Sequence, residues 1–283
     1  MRRVALLGLL VACEDGLDQR LAIVREPRVL AVVAAPAEAK PGATVSYTLL
    51  AASPDGPLST TPTWAYCGAS KPPTEDNAVS EACLGLDDLV GLGEAPSVTA
   101  SLPADGCILF GPDTPGTGFR PRDPDPTGGY YQPIRADVGE LVAFGLSRIT
   151  CKLPTAPPEV ARDFDVRYVA NANPSLDPIV LTEVPADTDV TLVASWPEAS
   201  VESYLYYDAL TQTLVTRREA MRLSWFATGG SIAVDASAVA EAELATTVRA
   251  TWHTPAAGTA WLWFVLRDSR GGVATQTLQI TVR

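Results

Sequence analysis

Short apolar runs, four to eleven residues long and broken by Pro, Gly, Asn or Asp, recur along the chain from Arg28 to the end, and most of them alternate apolar with polar positions. That period belongs to half-buried β-strands. Val29 to Val33 reads as a first strand, Pro41-Gly42 as a turn, and Thr44 to Leu50 as the next strand, with Val45, Tyr47 and Leu49 on one face. Pro62 to Cys67 carries Trp64 and predicts a third strand, and Leu141 to Cys151 and Phe164 to Ala170 predict later ones. In the last strand Phe164, Val166 and Tyr168 alternate with Asp163, Asp165 and Arg167. Between these runs, residues 68 to 96 and 111 to 137 are rich in Pro, Gly and Asp and exceed ordinary loop lengths, which marks them as functional or elaborated loops.

From residue 177 the pattern is leaner. Ile179 to Val184 and Val190 to Trp196 flank Pro185-Ala186-Asp187 as a strand pair, and Tyr204 to Tyr207 with Thr213 to Thr216 predict a hairpin. Leu223 to Ala227, the turn Gly229-Gly230 and Ile232 to Val234 follow. Ala236 to Leu244, dominated by Ala and Glu, suggests one short helical turn. Thr247 to Trp252, Thr259 to Arg267 and Val273 to Val282 close the chain as strands. Trp261 to Val265 is apolar on both faces and so belongs at the centre of a sheet, with Leu278, Ile280 and Val282 facing inward beside it. The tryptophans sit at strand centres and read as core.

Two stretches resemble known families. Arg2-Arg3, the apolar run Val4 to Ala12 and Cys13 resemble a bacterial lipoprotein signal, too short to span a bilayer. The resemblance implies cleavage before Cys13, lipidation of that residue, and an outer-membrane or cell-surface address through a lipid anchor. Trp252-His253-Thr254-Pro255, Gly258, the Trp261 to Leu266 strand, Asp268-Ser269-Arg270-Gly271-Gly272 and Leu278 to Val282 resemble the closing strands of PKD or related Ig-like repeats. Leu223 to Phe226 with Gly229-Gly230 matches the middle of the same pattern, and the whole chain resembles myxobacterial-type Ig-like lipoproteins, which implies location rather than activity. The expected organisation is a signal over 1–12, a lipidated tether over 13–27, an elaborated Ig-like unit over 28–176 and an Ig/PKD-like unit over 177–283. The fold class is all-β: two tandem antiparallel Ig-like sandwiches, the first with long disulfide-stapled loops.

The net charge of −12 disfavours nucleic acid as a partner. Besides Cys13 there are Cys67, Cys83, Cys107 and Cys151, with no C-x-x-C and a single histidine, so two disulfides are expected rather than a zinc site. Pairing 67–83 is favoured because the intervening segment is turn-rich and polar, while 67–151 with 83–107 stays open, since loop entropies separate the two by too little. Chemistry is sparse. His253 would have to serve any Ser-His-Asp arrangement, yet it follows Trp252 at a strand end and no G-x-S-x-G occurs. Asp113, Asp123, Asp125, Tyr130 and Tyr131 define a candidate binding loop; Asp123 and Asp125 have carboxylates for calcium, but the intervening prolines and missing D-x-D-x-D-G favour a solvated turn. Tyr130-Tyr131, and Tyr204 with Tyr206 on one strand face, pose a carbohydrate alternative. No cofactor or metal is expected, and the expected function is non-enzymatic: binding of a protein partner or envelope complex through the long loops or sheet edges, with a glycan as the alternative ligand.

Overall fold

The computed structural model describes residues 21–69, 79–86, 88–113 and 126–283, and it is mostly β. The strands are β1 (Arg28–Ala35), β2 (Glu38–Ala39), β3 (Thr44–Ser53), β4 (Gly56–Pro57), β5 (Thr63–Cys67), β6 (Leu89–Glu94), β7 (Ser97–Ser101), β8 (Gly129–Val138), β9 (Leu141–Thr150) and β10 (Glu183–Val184). They continue with β11 (Asp189–Ser195), β12 (Ser203–Asp208), β13 (Thr213–Arg218), β14 (Met221–Ala227), β15 (Ser231–Ile232), β16 (Ala236–Val239), β17 (Thr247–His253), β18 (Gly258–Asp268) and β19 (Val273–Val282).

In the amino-terminal half a sheet ordered β2-β9-β8-β5-β6 faces a second in which β3 pairs with β1, β4 and β7. The carboxy-terminal half opposes β10-β19-β18-β14-β16 to β11-β17-β15. Alternation decides what each face touches. Val45, Tyr47 and the half-buried Leu49 point with Trp64 and Ile134 into the amino-terminal core, as their spacing predicts. Leu192, Trp225, Trp252, Leu262, Phe264 and Leu266 form the carboxy-terminal core.

The two sandwiches also stack on each other. Leu30, Ala31 and Ala52 from β1 and β3 meet Trp263, Val265 and Val273 from β18 and β19 in a separate buried cluster, with Phe226 and Trp261 at its margin. Strand β18 is apolar on both faces because it is covered on both: even positions 262, 264 and 266 enter one core and odd positions 263 and 265 the other. Two glycines permit close approaches, one inside the amino-terminal sandwich and one between the two. A Cβ on Gly145 would lie 2.6 Å from the Val32 side chain, where β9 closes against β1, and one on Gly56, at φ +128°, would lie 2.5 Å from Trp261.

Several expectations are corrected. Residues 164–170 are not a strand; the segment is the end of a helix, Pro158–Arg167. Proline at its first turn, Glu159 near its start and Arg167 in its last turn favour the helix, and Arg167 reaches Asp163 at 2.6 Å one turn earlier. Its apolar stripe is Val160, Phe164 and Tyr168, spaced four apart with Phe164 buried, and it packs on Leu205, Tyr207 and Leu214 of the predicted β12–β13 hairpin. Val166, which strand alternation would bury, is out in solvent. Residues 179–184 and 190–196 do not pair with each other: β10 runs parallel to β19 while β11 pairs with β17, so the chain changes sheets at Pro185–Asp187. Thr254 fixes that crossing by donating its hydroxyl to the carbonyl of Pro185 at 2.7 Å.

The predicted helical turn at 236–244 begins instead as strand β16 on the edge of β14, where pairing and burial of Val239 outweigh alanine's intrinsic preference for helix. The expected tether is shorter than 13–27, because Ala22, Ile23 and Val24 are buried and the Val24 amide donates to the Ala227 carbonyl at 2.8 Å. The two long loops contain strands β6 and β8.

Candidate protein-binding site

The excursion after β5 is built around Arg135. On β8, Ile134 and Ala136 face the amino-terminal core, so Arg135 projects from the opposite, outer face of the sheet. Its Nε donates to both carboxylate oxygens of Asp137 at 2.8 and 3.0 Å, which orients the guanidinium. Its NH1 group donates to the carbonyls of Cys83, Leu84 and Gly85 at 2.9, 2.9 and 2.8 Å. These carbonyls end the 3-10 turn Glu81–Leu84, where the negative end of aligned peptide dipoles favours a cation. At the other end, the Ser80 hydroxyl accepts from the Ala82 amide at 3.3 Å. The Cys67–Cys83 disulfide, with Cα atoms 5.6 Å apart, ties the turn to β5, and the Gln132 side-chain amide donates to the Cys67 carbonyl at 2.8 Å.

This turn is held from three sides yet displays apolar side chains. Leu84 is 60% exposed, Leu86 73% and Val90 58%. Val90 lies on β6, an outer strand of its sheet whose partner is β5, and just before it the Gly68 amide donates to the Asp88 carbonyl at 2.6 Å. Among the described residues no strand pairs with the other edge of β6, and a Cβ added at Gly91 or Gly93 would meet nothing within 4 Å. Unpaired strand edges and exposed apolar side chains are both recognition features. Leu84-Gly85-Leu86, with Leu89 and Val90 close behind, was the available sequence signal, apolar positions after a polar stretch; Arg135 gave none, since its partners are carbonyls some fifty residues away.

The predicted binding-loop residues do not gather. Asp123 and Asp125, like Cys13, lie outside the described residues. Tyr130 and Tyr131 are on strand β8 rather than on a loop, because Gly129 to Val138 pairs in register with β9. Tyr130 stacks on Phe110 with centroids 5.8 Å apart and packs on the core, and Tyr131 lies under the Arg148 guanidinium at 4.9 Å. Asp113 stands elsewhere and accepts from the Lys152 amide at 3.2 Å. Tyr204 and Tyr206 are likewise capped, by Arg270 at 5.2 Å and Arg217 at 3.6 Å, so neither presents a bare ring face to a sugar. The remaining disulfide is Cys107–Cys151, Cα atoms 5.6 Å apart, so the pairing is 67–83 with 107–151.

His253 lies on β17 between Asp189 of β11 and Ser231 of β15, one cross-strand row. Its Nδ1 is 2.8 Å from Asp189 Oδ1, but both side chains are exposed on an open sheet face, where such a pair contributes about 0–1 kcal/mol. Sequence spacing could not have shown this pair, 64 residues apart.

No family model and no curated protein matches the chain. Among solved structures it is similar to the fibronectin(III)-like modules of Clostridium thermocellum CbhA, at 10% identity over 91% of this chain and 94% of that one, with a TM-score of 0.27. It is also similar to the D0-D1 domain of intimin (9% identity, 89% and 98% covered, TM-score 0.24) and to the Yersinia pseudotuberculosis adhesin InvE (12%, 88% and 58%, TM-score 0.23). At TM-scores this low nothing about activity or partners follows from them.

Proposed function

We propose that this chain is a lipid-anchored, non-enzymatic envelope protein that binds an extended segment of another protein along β6 and the adjoining turn. The observation that carries the reading is the Arg135-pinned turn, which holds Leu84 and Leu86 in solvent at fixed positions beside an open strand edge. Rigid display lowers the ordering cost of binding, and a partner strand would add main-chain hydrogen bonds along the edge. The membrane address rests on the lipobox-like sequence ending at Cys13.

Two measurements test this reading. Cys13→Ala should abolish palmitate labelling and move the protein out of the membrane fraction; unchanged labelling would refute the anchor. A photo-crosslinking residue at Leu86 should give a discrete protein adduct in intact cells, reduced at least tenfold when Arg135→Ala unpins the turn. The same probe at Val180, equally solvent-facing but distant in sequence, should give none. Equal adducts at both positions, or none at Leu86, would overturn the binding surface.

A further inference from the structure

The second disulfide has surroundings that the first does not. Cys107–Cys151 joins the short helix Gly106–Leu109 to the end of β9 and forms one wall of a cavity of about 520 Å³, whose lining includes Lys40, Asp113, Lys152 and Tyr168. The Asp113 carboxylate lies within 4.8 Å of both sulfurs. All four cysteines are buried, Cys107 at 3% and Cys151 at 7% exposed, but Cys83 lies within the turn that Arg135 holds, whereas Cys107 and Cys151 line the cavity. We propose that Cys107–Cys151 is a thiol–disulfide exchange site open to an exogenous dithiol, with Asp113 as its proton donor and acceptor.

The chemistry balances without a further reactant. A thiolate of the dithiol, its proton given to solvent, attacks one sulfur, forms a mixed disulfide and breaks the Cys107–Cys151 bond; the departing sulfur takes the proton of Asp113. The remaining thiol of the dithiol gives its proton to the Asp113 carboxylate and attacks the mixed disulfide. The second cysteine leaves and is protonated from solvent, so that two electrons and two protons have passed from the dithiol to the cysteine pair. Burial raises the Asp113 carboxyl above its ordinary value, the Asp165 charge adds to this, and the Lys152 amide and charge oppose it. A carboxyl so placed is suited to hold a proton until a thiolate needs it. Lys152, adjacent to Cys151, and Lys40 across the cavity favour the thiolate while it forms; Asp165 and Tyr168 of the facing helical segment complete the groups around it. This site is independent of the β6 surface and stands or falls separately.

Native protein titrated with dithiothreitol, then alkylated and mapped by mass spectrometry, should show Cys107 and Cys151 modified while Cys67 and Cys83 remain paired, with tryptophan fluorescence still native. The rate constant per dithiothreitol thiolate should fall as pH rises through the Asp113 titration. In Asp113→Asn it should be about tenfold lower at the acidic end and flat with pH, and Asp113→Glu should restore part of the slope. Simultaneous reduction of both disulfides, reduction only in step with loss of native fluorescence, or an unchanged profile in Asp113→Asn would each overturn the proposal.

Discussion

Replacing Arg270 with methionine is expected to destabilise the protein by about 3–5 kcal/mol, because it leaves buried carboxylates without their cation. Arg270 is 3% exposed in its side chain and lies in the β18–β19 turn, where the two halves of the chain meet. Its Nε donates to Glu219 at 2.7 Å and its NH2 group to Glu202 at 2.7 Å, and its NH1 group is 3.9 Å from Glu38 and donates to the Val169 carbonyl at 3.2 Å. Glu38, from the amino-terminal half, also accepts from Tyr168 and Thr150 and from the Asn171 amide, and lies 3.3 Å from Arg148. Asp268 is held by the amides of Arg270 and Gly272 at 2.8 and 2.9 Å and by the Asn171 side chain. Four acids thus share two arginines in a nearly dry junction.

The pH dependence follows from that imbalance. Burial, with the Asp268 charge second, pushes the Glu219 carboxyl from its ordinary 4.5 up to about 7, against the pull of Arg270. A carboxyl raised on folding contributes stability that is complete below about 4.5 and lost as pH climbs through 7. The wild-type protein should therefore unfold at lower urea concentration at pH 8 than at pH 5, Glu219→Gln should flatten that slope, and the deficit of Arg270→Met should be larger at pH 8. A deficit larger at pH 5 would refute this sign, and a loss below 1 kcal/mol would refute the role of Arg270.

Trp263→Ala should cost about as much, roughly 3–5 kcal/mol for a fully buried indole, and should do something further. Trp263 sits in the cluster between the two sandwiches, so its removal weakens their coupling while leaving each inner core filled. Urea unfolding followed by circular dichroism and fluorescence should change from one transition to two. Trp64→Ala, in the amino-terminal core, is the comparison: a similar loss of stability without the same uncoupling. Should Trp263→Ala unfold in a single transition at the wild-type midpoint, the cluster does not join the halves.

Period-2 alternation was enough to locate β3, β5, β9, β14, β17 and β19, because a strand with one face in a core writes that face into every second residue, and continuous apolar runs located β1 and β18. The unbroken apolar run Trp261 to Leu266 marked β18 as central. Alternation failed where another period was superimposed: Val160, Phe164 and Tyr168 form a helical stripe that Phe164, Val166 and Tyr168 imitate over a short window. The candidate loop dissolved for a related reason, because the glycines and prolines before Tyr130 mask the start of β8.

Local sequence determined the strands, the all-β class, the buried tryptophans and the cysteines available for pairing. Tertiary structure alone decided that the sandwiches stack through Trp263, that Arg270 and Glu38 meet from opposite halves, and that Arg135 grips carbonyls from another excursion. The reason is physical: burial on one face repeats with the local backbone and is visible in any ten residues, whereas a long-range contact between an arginine and a carboxylate or a carbonyl leaves no periodic mark in either segment.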